Sequence, residues 1–386
     1  MKLTHVLTVL LLGATGASCI QDEALNVEAA IDGCSGANIL LTNINPDKKT
    51  VDIYIPKYTD LSKQELKFTL ADNASIAPVT PDDKDNPPLY NFESYLVPGN
   101  ENQMESYQRK FRVISESQTT ETIYNISLLK AELPTHFTFE NLEQKFPFHI
   151  LYEKGDLTKN EVIQWASGNP GFKSSGMAQS PLEYPTIQDD NGRFGRCVTM
   201  TTRSTGKFGE GVGMPIAAGN LFIGSFDALE AILRPLKATL FGFPFTHEPV
   251  RMTGWYKYKA GVVFTDKDNN VVNNRKDAGD IYAVLYEAPT NDFSLDGDLF
   301  TPGNEKAKNI VLLARIPQTE ETNEWKYFDL TFEPQNNKTI DPDKLKDGKY
   351  KLAVVFSSSI RGAYFEGAVG SRLSVDEVTI ECKEQN

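Results

Sequence analysis

Cysteine and histidine, the side chains on which most transition-metal sites depend, are scarce in this chain. Only four of each occur among 386 residues. There is no Cys-x-x-Cys pair and no Cys/His spacing typical of a metal site, and the histidines beyond the N-terminal segment, His136, His149 and His247, are far apart. The sequence therefore gives no indication of a Cys/His metal site.

Basic residues are in the minority. Lysine and arginine number 39 against 52 aspartates and glutamates, which gives a formal net charge of −13 and a pI near 4.9. Nucleic-acid binding requires clustered cations that release counterions from phosphates, so we do not expect a nucleic-acid partner. The acidic surplus is typical of a solvated surface that keeps a protein soluble.

The N-terminal apolar run, Val6–Leu12, is too short to span a bilayer. It follows Lys2 and precedes small residues, which predicts a secretory signal and not an anchor helix. Gly16-Ala17-Ser18-Cys19 resembles a bacterial lipobox, with Gly16 where leucine is usual. We therefore predict a lipoprotein signal peptide over 1–18 and a lipidated tether over 19–26, with ordinary secretion as the alternative.

Acylation of Cys19 would hold the mature chain at a membrane, since each buried methylene contributes about 0.8 kcal/mol. Gln21-Asp22-Glu23 resembles the acidic tag that directs some lipoproteins of Gram-negative gut anaerobes to the outer face of the outer membrane. The expected location is therefore the outer membrane, with exposure at the cell surface. The remaining cysteines, Cys34, Cys197 and Cys382, form an odd set, for which one disulfide is open and free thiols are favoured.

No long helical period follows the tether, and the length suggests two domains. Over 27–132 short alternating segments such as Thr50–Ile55 and Glu121–Leu128 predict an immunoglobulin-like β-sandwich. Its expected role is a spacer from the membrane, and peptide or glycan binding is the alternative. Leu133-Pro134 marks the predicted boundary, because proline disfavours continuing either element.

The second domain, 133–386, is rich in glycine and aromatic residues and is predicted to be a jelly-roll β-sandwich, because its strands follow one another without interleaved helices. One helix is expected at Asn160–Ser167 and a short one at Phe226–Leu233. Strands are predicted at Arg196–Thr201, Val250–Tyr258, Asp280–Glu287, Ile310–Ile316, Lys326–Phe332, Tyr350–Phe356 and Leu373–Cys382.

Five blocks of this domain resemble one known family. They are WASGN at Trp165–Asn169, MPIAAGNLFIG at Met214–Gly224, GFPF at Gly242–Phe245, WYKYKAG at Trp255–Gly261, and SSSIRGAYFEGAVGSRLSVDEV within Phe356–Cys382. Together they resemble the PCMD family, whose name stands for putative carbohydrate metabolism domain. The resemblance implies a lipoprotein whose jelly-roll domain is akin to carbohydrate-binding modules and β-glucanases, often behind an immunoglobulin-like domain.

Sugar recognition requires flat aromatic faces and polar side chains on a rigid scaffold. The candidate substrate-binding residues are Trp165, Trp255, Tyr286 and Tyr364. On the strand around Trp255 we expect Tyr256 and Tyr258 to point into the core, because Trp255 shares its face with two lysines. For each aromatic residue a core position is the alternative.

Glycoside hydrolysis requires two carboxyl groups, one of them with a raised pKa. Glu366, surrounded by apolar and small residues in Tyr364–Ala368, is the first candidate, and binding of loop backbone amides is its alternative. Asp280 is the second candidate, although an ion pair would explain it equally well. The uncharged segment Met214–Phe226 is expected to be a packed loop that also lines one wall of a cleft.

Asp376 lies where the apolar alternation of the last strand slips by one residue, which predicts a β-bulge at Asp376–Glu377. A structural calcium ion held by Asp376 is one explanation, since calcium prefers oxygen ligands, and a sheet-end carboxylate is the other. No other cofactor is expected.

The sequence predicts a surface lipoprotein that binds an oligosaccharide or polysaccharide. Its expected protein partners are outer-membrane glycan-uptake proteins. The alternatives are a glycoside hydrolase or lyase that uses a carboxylate pair, and a structural adhesin or assembly component. Binding predicts aromatic faces on a concave surface. Hydrolysis predicts two carboxylates about 5–10 Å apart in a cleft. An adhesin predicts a broad exposed apolar patch.

Overall fold

A computed structural model of the chain describes residues 25–36, 38–99, 105–143, 147–155, 161–227, 230–290 and 293–384. This part of the chain is an all-β protein with short helices only. None of its helices has the length and apolar character needed to cross a membrane. The predicted signal peptide and Cys19 lie outside the described residues.

The N-terminal region contains one main sheet, in which Glu121–Ala131 runs parallel to Thr50–Pro56 and antiparallel to Ser106–Ile114. Alternate residues of these strands, among them Val51, Ile53 and Ile126, build a separate apolar core. In spatial order the strands are Leu41–Asn45, Thr50–Pro56, Glu121–Ala131, Ser106–Ile114 and Ser75–Pro78, with Leu96–Val97 also paired to Ser106–Ile114. Smaller ribbons pair Ile31–Ser35 with Lys67–Leu70 and Gln64–Glu65 with Leu89–Tyr90.

The second region is a jelly-roll sandwich of two antiparallel sheets. Sheet I has the order Thr186–Asp189, Cys197–Thr201, Arg372–Cys382, Pro249–Lys259 and Thr322–Thr331, with His136–Phe137 paired to Arg372–Cys382. Sheet II has the order Asn220–Phe222, Tyr350–Ser357, Asp280–Glu287, Ile310–Arg315 and Glu333–Pro334, with Phe243–Pro244 paired to Tyr350–Ser357.

Shorter elements surround these sheets. Small sheets join Asn141–Glu143 to Ile150–Lys154 and Glu161–Gln164; Gly224–Phe226 to Thr239–Phe241 and Leu295–Asp296; Arg203–Ser204 to Ile216–Ala217; and Phe264–Thr265 to Gly367–Ala368. The α-helices are Asn169–Lys173, Gly206–Gly211, Glu230–Leu233 and Pro342–Lys346, and the 3-10 turns are Leu61–Lys63, Pro181–Glu183, Pro235–Lys237, Lys306–Asn309 and Gly362–Tyr364.

The expected helix at Asn160–Ser167 is wrong, because the structure has a strand at Glu161–Gln164. Ile163 and Trp165 are buried, and the intervening Gln164 is only partly buried. That alternation has the period of two of a strand, not the period of a helix. Of the short helix expected at Phe226–Leu233, the structure describes a helix at Glu230–Leu233, while Phe226 ends the strand Gly224–Phe226.

The predicted bulge in the last strand is confirmed. Thr253 pairs with Thr379 and Trp255 pairs with Asp376, so one extra residue of Arg372–Cys382 lies between the two pairs. Glu377 accommodates it with φ of 51°. The inward direction of Tyr256 and Tyr258 is also confirmed, since both are buried between the sheets.

Cys34, Cys197 and Cys382 are free thiols. Burial raises the pKa of each to about 12, which keeps the reactive thiolate form scarce at neutral pH.

Candidate functional site

A cavity of about 520 Å³ lies on the outer face of sheet II. Side chains alternate along Asp280–Glu287, so Ile281 points into the core between the sheets while Asp280 and Tyr282 point to the cavity. The volume lies within the range of about 300–1,000 Å³ that is common for small-molecule sites. The strand pattern of the sheet therefore sets the floor of the cavity.

The segment Met214–Phe226 forms one wall, as the sequence predicted, but the expected packed loop is wrong, because the segment contains the strands Ile216–Ala217, Asn220–Phe222 and Gly224–Phe226. The wall is uncharged and largely apolar, and its lining residues include Met214, Ile216, Ala218, Asn220, Phe222 and Phe226. It meets the turn at Gly362 very closely, since a Cβ atom at Gly362 would lie 2.3 Å from the Cβ of Ala218. A side chain at Gly362 would therefore force these two walls apart.

An ion pair spans the cavity floor. The guanidinium of Arg315 donates to both carboxylate oxygens of Asp280, from Nε at 2.9 Å and from Nη2 at 2.7 Å. Burial raises the pKa of the Asp280 carboxyl, and the bonds from Arg315 oppose that rise. The Arg315 Cζ also lies 3.9 Å from the ring centroid of Phe300, which holds the guanidinium plane in place.

A second arginine cluster forms the rim. Arg361 donates from Nε to Oε2 of Glu366 at 3.1 Å, and Arg275 donates from Nη1 to the same oxygen at 3.4 Å. The Arg361 Cζ lies 4.2 Å from the centroid of Tyr364, whose hydroxyl is 2.5 Å from Oγ1 of Thr301. Since Thr301 follows Phe300, the rim cluster and the floor pair are joined through one short segment.

The sequence candidates are thus only partly brought together. Asp280 and Tyr364 line the same cavity. Glu366 does not line it but binds two arginines that do. Two expectations for Glu366 are therefore wrong: that it lies in an apolar environment, and that its carboxylate binds backbone amides. The carboxylate is held by two guanidinium groups instead.

The expectation that Trp165 and Tyr286 bind substrate is wrong, because both are core residues. Trp165 is 3% exposed, packs between Phe137 and Phe139, and donates from Nε1 to Oε1 of Glu153 at 3.2 Å. Tyr286 is 0% exposed and its hydroxyl donates to the carbonyl of Phe241 at 2.5 Å. Neither ring offers a face to a ligand in this structure.

Trp255 is partly exposed, but it lies on the outer face of sheet I, away from the cavity. Its ring centroid is 5.2 Å from that of Tyr327 and 4.7 Å from the Cζ of Arg193. Trp255 and Tyr364 therefore do not contribute to one site.

Asp376 is a buried carboxylate at the bulge within Arg372–Cys382, the central strand of sheet I, so the sheet-end position expected for it is wrong. It is 0% exposed, and its Oδ2 accepts the backbone N–H groups of Arg193 at 2.6 Å and Phe194 at 3.1 Å. Its Oδ1 accepts the N–H of Glu377 at 2.9 Å. Within the described ranges, no group of three or more His, Cys, Asp or Glu residues could hold a metal ion.

The residues that sequence reasoning missed are mainly cations. The cavity is lined by Arg275, Arg315, Arg361 and Phe300, whereas the sites expected from the sequence comprised only carboxylates and tryptophan or tyrosine rings. Arg361 lies in the stretch beginning at Ser357 that resembles the PCMD family, and that resemblance was the one feature of the sequence that pointed to it.

The comparisons with known proteins agree on a carbohydrate-related family. Residues 138–381 match PCMD, "Putative carbohydrate metabolism domain". A structure described as a "putative glycoside hydrolase" from Bacteroides thetaiotaomicron is 37% identical, with a TM-score of 0.72, and the match covers 95% of this chain and 100% of that one. A second, described in the same words and from Bacteroides vulgatus, is 42% identical, with a TM-score of 0.61, and the match covers 66% of this chain and 100% of that one.

No curated protein matches the chain. The fold and the family match define a β-sandwich protein with a carbohydrate-related domain. The chain belongs to the PCMD family.

Proposed function

We propose that the chain captures a short oligosaccharide in the cavity on sheet II. The observation that carries this proposal is the combination of exposed aromatic faces and fixed polar groups on a rigid sheet. Phe300 is 41% exposed at the cavity and Tyr364 is partly exposed, and the polar side chains of Asn220 and Ser357 line the same cavity. Aromatic faces of this kind bind the apolar side of a sugar ring, and polar groups bind its hydroxyls.

A glycan array probed with the mature protein, followed by calorimetry on each hit, tests this proposal. Phe300→Ala should weaken binding roughly tenfold, because an aromatic contact of about 1.4 kcal/mol is lost. Tyr327→Ala is the matched control, since Tyr327 is a similarly exposed ring (49%) on the opposite sheet. Loss of binding in Tyr327→Ala but not in Phe300→Ala would place the site on sheet I and contradict the proposal.

Hydrolysis is the second candidate function, supported by the two Bacteroides relatives, each described as a "putative glycoside hydrolase". A two-carboxylate mechanism requires a second acid about 5–10 Å from the first. Among the described residues that line the cavity, Asp280 is the sole carboxylate, and Arg315 occupies both of its oxygens. Binding without cleavage is therefore the better supported function.

Incubating each array hit with the protein and measuring new reducing ends separates the two functions. Binding alone predicts no increase over a buffer control. If reducing ends accumulate and Asp280→Asn abolishes them, the chain is a hydrolase that uses this aspartate. If no glycan binds at all, the structural adhesin or assembly component becomes the better explanation.

We further propose that the protein acts at the cell surface through lipid on Cys19, supported by the lipobox-like sequence and the acidic residues after it. Captured glycan would then pass to outer-membrane uptake proteins. Cys19→Ser should abolish incorporation of labelled palmitate and release the protein from the membrane fraction. Protease added to intact cells should digest the wild-type protein, and protection from it would contradict surface exposure.

A further inference from the structure

The cavity has the opposite charge balance from the whole chain. Its charged lining residues are three arginines, Arg275, Arg315 and Arg361, and one carboxylate, Asp280, among the residues that the structure describes. The chain as a whole carries a formal charge of −13. Glu366, just outside the lining, binds two of these arginines, so the whole cluster of three arginines and two carboxylates keeps one net positive charge in an acidic protein.

Each arginine is held by a carboxylate yet keeps free donors. Arg315 and Arg361 both use Nε and Nη2 on their carboxylates, so Nη1 has no partner among the described residues in either case. Arg275 uses only Nη1 on Glu366, which leaves its Nε and Nη2 free in the same sense. Guanidinium nitrogens with spare N–H groups are well suited to bind the oxygens of an anion.

The three guanidinium groups are also fixed before any ligand arrives. Arg315 lies on the ring of Phe300 at 3.9 Å, and Arg361 lies on the ring of Tyr364 at 4.2 Å. Arg275 has its Cζ 4.2 Å from the centroid of Phe264. A charged donor that is already held in position loses little conformational freedom on binding, so its contribution to affinity is retained.

We propose that the cavity selects a saccharide that carries an anionic substituent, either the carboxylate of a uronic acid or a sulfate ester. This inference rests on the proposed glycan capture and specifies its substrate class. The anionic oxygens bind the free nitrogens of Arg315 and Arg361, with Arg275 adding positive charge at the rim, while the aromatic rings contact the sugar. The acidic surface of the chain disfavours a long polyanion, so the ligand is a short acidic unit or an isolated acidic sugar in a neutral glycan.

An array that contains neutral, uronate-bearing and sulfated glycans gives the first test. Hits confined to anionic glycans support the proposal. Equal binding of neutral and anionic glycans overturns it and leaves glycan capture intact. An array without any hit overturns glycan capture itself, and with it this proposal.

Chemical conversion of the bound glycan then identifies the group recognised. Reduction of the carboxyl groups to hydroxymethyl groups tests the uronate, and desulfation tests the sulfate ester, with the sugar backbone unchanged in both. Whichever conversion removes the recognised anion should weaken binding at least tenfold, since a charge-assisted hydrogen bond is lost. Affinity that survives both conversions would overturn the proposal.

Arginine variants locate the anion. Arg361→Gln and Arg275→Gln should each weaken binding of the anionic glycan roughly fivefold to tenfold. Neither variant should change the affinity for the neutralised form of that glycan. Asp280→Asn combined with Arg315→Gln removes both charges of the floor pair together, so no carboxylate is left buried alone. Arg251→Gln is the matched control, because Arg251 is also an ion-paired arginine with 42% side-chain exposure, like Arg361, but lies on sheet I. Unchanged discrimination in all three cavity variants, each shown to be folded by circular dichroism, would overturn the proposal.

Discussion

Asp280 and Arg315 lie on neighbouring strands of sheet II and are joined by two parallel hydrogen bonds at the floor of the cavity. The Asp280 side chain is 7% exposed and that of Arg315 is 27% exposed. A carboxylate buried to this extent depends on its partner to remain charged. The pair therefore both stabilises the sheet and fixes a cation at the floor of the proposed binding site.

Arg315→Met should destabilise the protein by about 3–5 kcal/mol, because it leaves the Asp280 carboxylate buried without a partner. Urea unfolding followed by circular dichroism measures the change. The double variant Asp280→Asn/Arg315→Met should recover much of the loss, since no charge is left buried.

Arg251→Met serves as a control for that experiment. Arg251 pairs with Asp329 on sheet I, and both side chains are more than one third exposed. An exposed pair of this kind contributes about 0–1 kcal/mol. If Arg315→Met cost no more than Arg251→Met, the floor pair would have no special structural role.

Trp165→Phe should lower stability by about 1–3 kcal/mol without changing glycan affinity. The indole is buried and donates to Glu153, so the variant loses volume and leaves a hydrogen bond unmade. Phe300→Ala should show the opposite pattern, with weaker binding and little change in stability. Calorimetric binding and thermal melting on both variants test this contrast, and a loss of glycan affinity in folded Trp165→Phe would return that residue to the binding site.

The strands could be predicted because their signals are local. The strand Asp280–Glu287 has the predicted bounds, and the parity slip at Asp376 was sufficient to locate the bulge. The helix at Asn160–Ser167 was wrong because a short apolar segment does not distinguish a buried strand from a helix.

The site was harder to predict because its charge pattern depends on distant contacts. Asp280 and Arg315 are 35 residues apart, and Arg275 and Glu366 are 91 apart, so no local pattern links them. Burial of Trp165 is likewise decided by rings from other strands. An aromatic residue by itself does not show whether it covers the core or faces a ligand.

Asp376→Ala should destabilise the protein by at least about 2 kcal/mol, since three backbone N–H groups lose their acceptor. Chemical denaturation measures the effect. Because these donors already engage both oxygens of Asp376, we expect 1 mM calcium and 1 mM EDTA to give the same melting temperature. A calcium-dependent rise that Asp376→Ala abolishes would restore the calcium explanation.

Glu153 should make the protein less stable as the pH rises from about 5 to 7. Burial raises the pKa of its carboxyl to about 7, although hydrogen bonds from the backbone of Phe139 and the indole of Trp165 oppose the rise. The folded state therefore holds a proton that the unfolded state, with a glutamate pKa of about 4.3, has released. The contribution of Glu153 to the free energy of unfolding is complete below its pKa in the unfolded state. It is lost as the pH rises through its pKa in the folded state, by up to about 3 kcal/mol.

Urea unfolding at pH 5, 6 and 7 tests this dependence, with Glu153→Gln as the comparison. Buried Asp376, whose pKa burial raises to about 6, has the same sign, and His149, whose pKa burial lowers, has the opposite sign over this range. The difference between wild type and Glu153→Gln therefore isolates Glu153. The wild-type free energy of unfolding should fall more steeply with pH than that of the variant, because the glutamine side chain of the variant cannot titrate. Parallel pH profiles would show that Glu153 has an ordinary pKa and is charged in the folded protein throughout this range.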